Sequence, residues 1–350
     1  MVKKRRARME DVAQAAGVSR TAVSFVLNDI PNANIPDATR QRILQAARQL
    51  DYTPNAQALN LVRGQTMMVA LVVRVTSEQL SADAFLGELI RGTTRVIEAE
   101  DYHLVVHSVE PCAPNNTTYG QLVRTRKVDG LLISSPLVND PEVKVLHDEG
   151  TPIVLNGTAD FDDIPSVDVD NIQGAYTAVQ HLIDLGHRRI GHISNAPFLY
   201  TSARDRLAGY REALAEAGIP YDAQIVYPGA FTDTSSYEPM QTMLDLPDRP
   251  TAVFIGSDLV ALGALQAIHN RGLSIPGDIS VIGFDDVLIG KYLQPPLTTI
   301  HLPAYDIGQR LGEMILASIR GEIFQTLRAL LPTELVIRQS TRQIAVSGSK

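Results

Sequence analysis

Apolar positions in the first 50 residues recur at helical spacing. Over 10–16, Val12, Ala13 and Ala16 form a small stripe, and Gly17 follows as a stop, with Val18 packing into the turn. Ser19 is a good N-cap for a second helix over 20–27 that buries Val23, Val26 and Leu27. After a loop holding Pro31 and Pro36, a third helix over 37–50 buries Ile43, Leu44, Ala47 and Leu50. Helix, glycine turn, helix and supporting helix make a helix-turn-helix head. Tyr52-Thr53-Pro54 breaks the pattern, and 55–62 could form one short helix, too short to hold its shape alone in water.

From Met67 onward the period changes. Apolar runs at 69–73, 104–106, 131–133, 153–155, 190–193, 253–255 and 281–284 read as buried parallel strands. Amphipathic stretches such as 171–185, 203–217 and 258–271 separate them. Alternating strands and helices predict doubly wound α/β structure. The 286 residues after Gly64 exceed one such sheet, so two lobes with a cleft between them are expected, as in periplasmic binding proteins. The expected layout is a head over 1–52, a linker over 53–66, a core over 67–340 and a tail over 341–350.

Charge divides along the same line. The first 64 residues hold ten basic and five acidic side chains, while the whole 350-residue chain carries −8, leaving −13 on the remainder. A basic head on an acidic body is expected where only the head meets a polyanion. The basic run Lys3-Lys4-Arg5-Arg6 lacks a following apolar segment and is no secretory signal. No stretch approaches 18 consecutive apolar residues, so no membrane partner is expected. The single Cys112 has no internal partner, which suits a reducing cytoplasm.

The run DVAQAAGVSRTAVSFVLN at 11–28 closely resembles the helix-turn-helix of the lactose-repressor family of bacterial regulators. Tyr52-x-Pro54-Asn55 resembles that family's hinge. Gly186-His-Arg-Arg-Ile-Gly191, Arg206-x-x-Gly209-Tyr210, Gly283-Phe-Asp-Asp286, Pro296-Leu-Thr-Thr-Ile300 and Pro332-Thr-Glu-Leu-Val-Ile-Arg338 follow in the family order. The resemblance implies a sequence-specific transcription regulator, a repressor by family habit. It would act on a pseudo-palindromic double-stranded DNA operator under the control of a small-molecule effector. The chain has no heptad run after Arg338, so a homodimer is expected. Leu59 stands where relatives often have an arginine after the hinge alanine, and Pro36 replaces the usual serine cap.

Recognition chemistry fits the head independently. The start of the second helix points into the major groove, placing Arg20 and Thr21 at base edges. Arg20 can pair bidentately with guanine O6 and N7, a contact worth roughly 1–3 kcal/mol of discrimination. Phe25 is placed for a thymine methyl, and Ser19, Ser24, Asn28 and Thr39 for phosphates. By resemblance, Asn55 and Ala58 belong to a hinge helix and Leu61 wedges a central base step in the minor groove.

Ligands of open α/β sheets bind beyond the carboxyl ends of the strands. Polar residues just past apolar runs are Arg74, Asn156, Asp170, Ser257 and Asp285, with Arg206 near the start of a later helix. Converging carboxylate, amide and guanidinium groups suit a polyhydroxylated ligand. The resemblance matches Arg206 and Asp285 to the family's principal ligand contacts and Phe231 to its aromatic stacking position. Phe85, Asn156, Asp170, Ser257 and Arg74 are carried over on a looser match. A sugar or sugar derivative is the expected effector, with a nucleobase corepressor as the alternative. His187 and His192, five apart at a strand, have diverging side chains and make no metal pair. There is no Walker A, H-E-x-x-H, G-x-S-x-G or dinucleotide motif, so neither catalysis nor a cofactor is expected.

Overall fold

The computed structural model describes residues 7–27, 35–53, 64–109 and 119–344. Asn28, Asn55, Ala58, Leu61, Cys112 and the basic run at 3–6, all singled out in the sequence, lie outside the described residues. The chain separates into two compact units, Met1–Met67 and Met68–Lys350.

In the first unit, α1 (Met9–Ala16), α2 (Arg20–Leu27) and α3 (Asp37–Gln49) surround one small core. Gly17 ends α1 at φ +65°, a left-handed conformation that glycine adopts without a Cβ penalty. Its N–H reaches the Gln14 carbonyl, and the Val18 N–H the Ala13 carbonyl, closing the turn that aims α2. Ser19 caps α2 as expected, its Oγ accepting from the Ala22 N–H at 3.2 Å. Val12, Ala13, Ala16, Val23, Val26, Ile43, Ala46 and Ala47 are buried together. One expectation fails here. Leu50 is exposed, because α3 ends at Gln49 and the turn brings Tyr52 against the core instead.

The second unit contains two six-stranded sheets. Their strands are β1 (Met68–Val73), β2 (His103–Ser108), β3 (Gly130–Ser134), β4 (Ile153–Asn156), β5 (Ser166–Val169), β6 (Ile190–Ile193), β7 (Val226–Tyr227), β8 (Ala252–Ile255), β9 (Ser280–Asp285), β10 (Thr298–His301), β11 (Arg328–Leu331) and β12 (Glu334–Val336). The first sheet runs β11-β5-β4-β3-β1-β2, all parallel. The second runs β12-β10-β9-β8-β6-β7, with only β12 antiparallel. Central strands are buried on both faces, which is why they read as unbroken apolar runs. Each sheet is a lobe, and the strand order requires three crossings between them: after β5, after β10 and between β11 and β12.

Helix packing closes each lobe tightly. A Cβ on Gly209, in helix Thr201–Glu216, would lie 2.1 Å from the Ile172 carbonyl oxygen of helix Asn171–Asp184. Glycine is what allows these two helices to approach so closely. His187 is buried against Thr251 and Ser280, and His192 is stacked between Tyr210 and Phe254. Both are packing residues, and burial lowers His192 to a pKa of about 4, keeping it neutral. Among the described residues no helix is long and apolar enough to cross a membrane, and no group of His, Cys, Asp or Glu is gathered for a metal.

Candidate functional site

On the head, the exposed start of α2 presents Ser19, Arg20 and Thr21, while Ser24, Phe25 and Thr39 are half-buried. The Arg20 guanidinium lies 2.9 Å from Glu10 with both side chains more than half exposed. A solvent-screened pair of this kind is worth little, so Arg20 can leave it for a base edge at small cost.

In the core, strand ends of both sheets face one cleft. Arg74, Phe85, Asn156, Arg206, Phe231, Ser257 and Asp285 all line it, so seven expected positions converge. Phe85, at the start of helix Ala84–Ile97, and Phe231 supply half-buried aromatic faces.

Asp170 does not line the cleft. Its carboxylate accepts from the Gln173 N–H at 2.8 Å and caps helix Asn171–Asp184. The carboxylate that this stretch brings to the cleft is Asp168, two residues earlier and inside β5. It accepts from the backbone N–H groups of Thr158 (3.0 Å) and Val169 (2.7 Å) and from Asn171 Nδ2. Burial nonetheless wins and raises its pKa to about 6.

Arg206 is the centre of the cleft floor. Its Nε donates to Asn171 Oδ1 at 2.9 Å, one Nη donates to the Gly256 carbonyl, and its guanidinium lies 3.8 Å from the Phe284 ring centroid. Asp285 Oδ1 stands 3.6 Å away. Burial pushes Asp285 up to about 7, and Arg206 and the Ser257 hydroxyl pull the other way. Asn171 therefore joins Asp168 of the first lobe to Arg206 of the second through both ends of one amide.

Arg74 is tied to Asp140 by a short ion pair and to Tyr119 Oη at 3.2 Å. Asp140 also caps helix Pro141–Asp148, so the arginine is fixed before anything enters. Asn156 donates to Ser134 Oγ at 2.9 Å. Two buried polar atoms of lining residues, Arg74 Nε and Asn195 Oδ1, have no hydrogen-bond partner. Ser135, Phe231 and Asp285 adopt φ of +55°, +55° and +114°, left-handed conformations unusual for residues with side chains.

Asp168 and Asn195 were missed in the sequence, though both left a signal. Asp170 followed by Gln173 has the spacing of a helix start, leaving Asp168 as an unexplained carboxylate between two valines. Asn195 stands two residues beyond the 190–193 run, one further than Arg74 stands from 69–73.

A helix-turn-helix head on a two-lobed core with a polar interlobe cleft defines a class, the ligand-responsive DNA-binding regulators. Comparison with known proteins gives the family. Residues 8–55 match the bacterial regulatory proteins of the lacI family, and 179–341 match the periplasmic binding protein-like domain. The chain is 34% identical over 343 residues to the HTH-type transcriptional regulator CelR of Thermobifida fusca, covering 97% of this chain and 100% of the relative. It is 36% identical over 342 residues to the HTH-type transcriptional repressor CytR of Escherichia coli K12, covering 97% of each. The solved lac repressor dimer bound to operator and the anti-inducer ONPF matches with a TM-score of 0.83 at 29% identity, covering 97% of this chain and 100% of that one. A CelR–cellobiose complex matches with a TM-score of 0.73 at 33% identity, over 96% and 100%. The chain belongs to the lacI family and is a DNA-binding transcriptional regulator, not an enzyme.

Proposed function

We propose that this regulator is a cytoplasmic homodimeric repressor that reads a pseudo-palindromic operator and is controlled by a sugar or sugar derivative held in the cleft. The observation that carries the effector reading is the pair of buried polar atoms without partners, Arg74 Nε and Asn195 Oδ1. One is a donor and one an acceptor, and burying either unpaired costs roughly 1–3 kcal/mol. A hydroxyl donates and accepts, so a polyhydroxylated ligand suits a lining of mixed donors and acceptors, with Phe85 and Phe231 offering faces for its apolar C–H surface. A relative's complex with cellobiose is consistent with that chemistry. Asn156, Asp168, Arg206, Ser257 and Asp285 supply the remaining polar contacts, and Ser19, Arg20, Thr21, Ser24, Phe25 and Thr39 the operator contacts. Asn28, Asn55, Ala58 and Leu61 join the operator set by family resemblance alone.

The test is a thermal-shift screen of the full chain against sugars, sugar phosphates and nucleobases, followed by operator binding with and without any hit. A ligand at 100 times its Kd adds about 2.7 kcal/mol to the folded state. A sugar that stabilises the core and changes operator affinity supports the reading. A nucleobase that does so instead overturns the sugar assignment, and stabilisation with no effect on operator affinity overturns the control.

A further inference from the structure

The cleft's polar groups are uneven in charge, and that imbalance constrains what enters. We infer that the effector carries no negative charge, so that the cleft admits an unphosphorylated polyhydroxylated molecule and rejects its phosphate or carboxylate derivatives. This inference rests on the effector reading of the same site.

Two guanidiniums and three carboxylates line the cleft: Arg74 and Arg206 against Asp83, Asp168 and Asp285. Both arginines already face a carboxylate. Arg74 is committed to Asp140, an ion pair with both side chains almost wholly buried. Arg206 faces Asp285 and spends its N–H groups on Asn171 and the Gly256 carbonyl. Behind Asp285 sits a further buried carboxylate, Asp258, which accepts from Thr299 Oγ1 at 2.7 Å and from the Val287 N–H at 3.0 Å. Asp140 offsets Arg74, so the three lining carboxylates face one remaining guanidinium, Arg206; Asp258, which burial holds well above the usual carboxylate range, adds little charge.

A phosphate dianion placed there meets carboxylates that outnumber the guanidiniums. Phosphate-binding sites offer the opposite arrangement, free guanidiniums or clustered backbone N–H groups. Burial is what raises Asp168 to about 6 and Asp285 to about 7, and an anionic ligand entering the cleft would meet the same loss of water. The unpartnered Asn195 Oδ1, on a side chain that is 4% exposed, is an acceptor and repels an anion for the same reason. A neutral hydroxyl donates to it. The regulator would therefore report a solute before a phosphoryl-transfer step acts on it.

Cysteine chemistry tests the charge of the cleft without knowledge of the effector. Ser202→Cys, at the cleft lining beside Asn195, is made in a Cys112→Ser background. Its reaction rates with a cationic and an anionic methanethiosulfonate of similar size are measured, normalised to a small free thiol. The normalised cation-to-anion ratio should exceed one by roughly tenfold, and adding Asp168→Asn should lower it. A ratio at or below one overturns the inference. In parallel, wild-type protein is titrated calorimetrically with glucose, ribose and cellobiose and with their phosphate esters. Each ester should bind at least tenfold more weakly than a parent that binds, and an ester binding equally or more tightly overturns the inference. If no sugar or ester binds, the effector reading fails, while the cysteine ratio still decides the charge.

Discussion

Asp168 ties the site to folding stability. Its folded pKa is about 6 against a model-peptide value of 3.8. The unfolded chain thus releases this proton first, and between about pH 4 and pH 6 the folded state holds more protons. The contribution is fully present below pH 3.8 and is lost as pH rises through about 6. A shift of about two units, at about 1.4 kcal/mol each, amounts to roughly 3 kcal/mol. Asp168→Asn removes the titration but sets an amide N–H against donors now pointing at the carboxylate, the Thr158 and Val169 N–H groups. The variant should therefore be less stable at every pH by about 1–3 kcal/mol, with the smaller deficit at neutral pH. Urea unfolding followed by far-UV circular dichroism, in steps from pH 4.5 to 7.5 at constant ionic strength, gives the difference curve. That difference should shrink as pH rises and flatten above pH 7. A difference that stays level across the range would show that Asp168 is ionised throughout, and the burial argument would be wrong.

Four further outcomes follow from the geometry. Ser19→Ala should destabilise the head by about 1 kcal/mol, read from its melting transition, because the Ala22 N–H loses its cap. Asp170→Ala should cost about 1 kcal/mol of core stability and leave effector affinity within twofold, since Asp170 caps a helix outside the cleft; a large affinity loss would return it to the site. Gly209→Ala should destabilise the core by roughly 3 kcal/mol or more in a denaturant titration, as its methyl would meet the Ile172 carbonyl at 2.1 Å. Asn171→Ala should weaken the effect of effector on operator affinity more than it weakens effector binding itself, measured by anisotropy and calorimetry; equal losses would make Asn171 an ordinary contact.

Much of this was legible in the chain, for reasons that differ by element. The head was read almost residue by residue because its signals are local: a helical stripe, a glycine that must turn, and a serine that must cap. Leu50 was misplaced because its exposure depends on where Tyr52 folds back, a tertiary choice. The strands at 190–193 and 253–255 announced themselves by being apolar on both faces. β11 and β12 did not, because edge strands with one open face carry mixed residues such as Arg328 and Glu334. Four of the cleft positions, Arg74, Asn156, Ser257 and Asp285, followed from looking past the strand ends, while Arg206 came from a helix start and Phe85 and Phe231 from the family resemblance. Asp168 escaped because it sits within a strand, where a carboxylate survives only by its hydrogen bonds to Thr158, Val169 and Asn171.

Its position also says how a ligand could act on the lobes. An effector moves an equilibrium only through a difference in its affinity for two states. Contacts confined to one lobe would bind without biasing closure. Here Asp168 belongs to the first sheet, Arg206 to a helix on the second, and Asn171 at the first crossing is hydrogen-bonded to both. A hydroxyl bonded to either partner changes the charge balance that the shared amide sees. Phe231 and Asp285 are held at positive φ on the second lobe, facing Phe85 of the first, so the aromatic and charged contacts are also split between lobes.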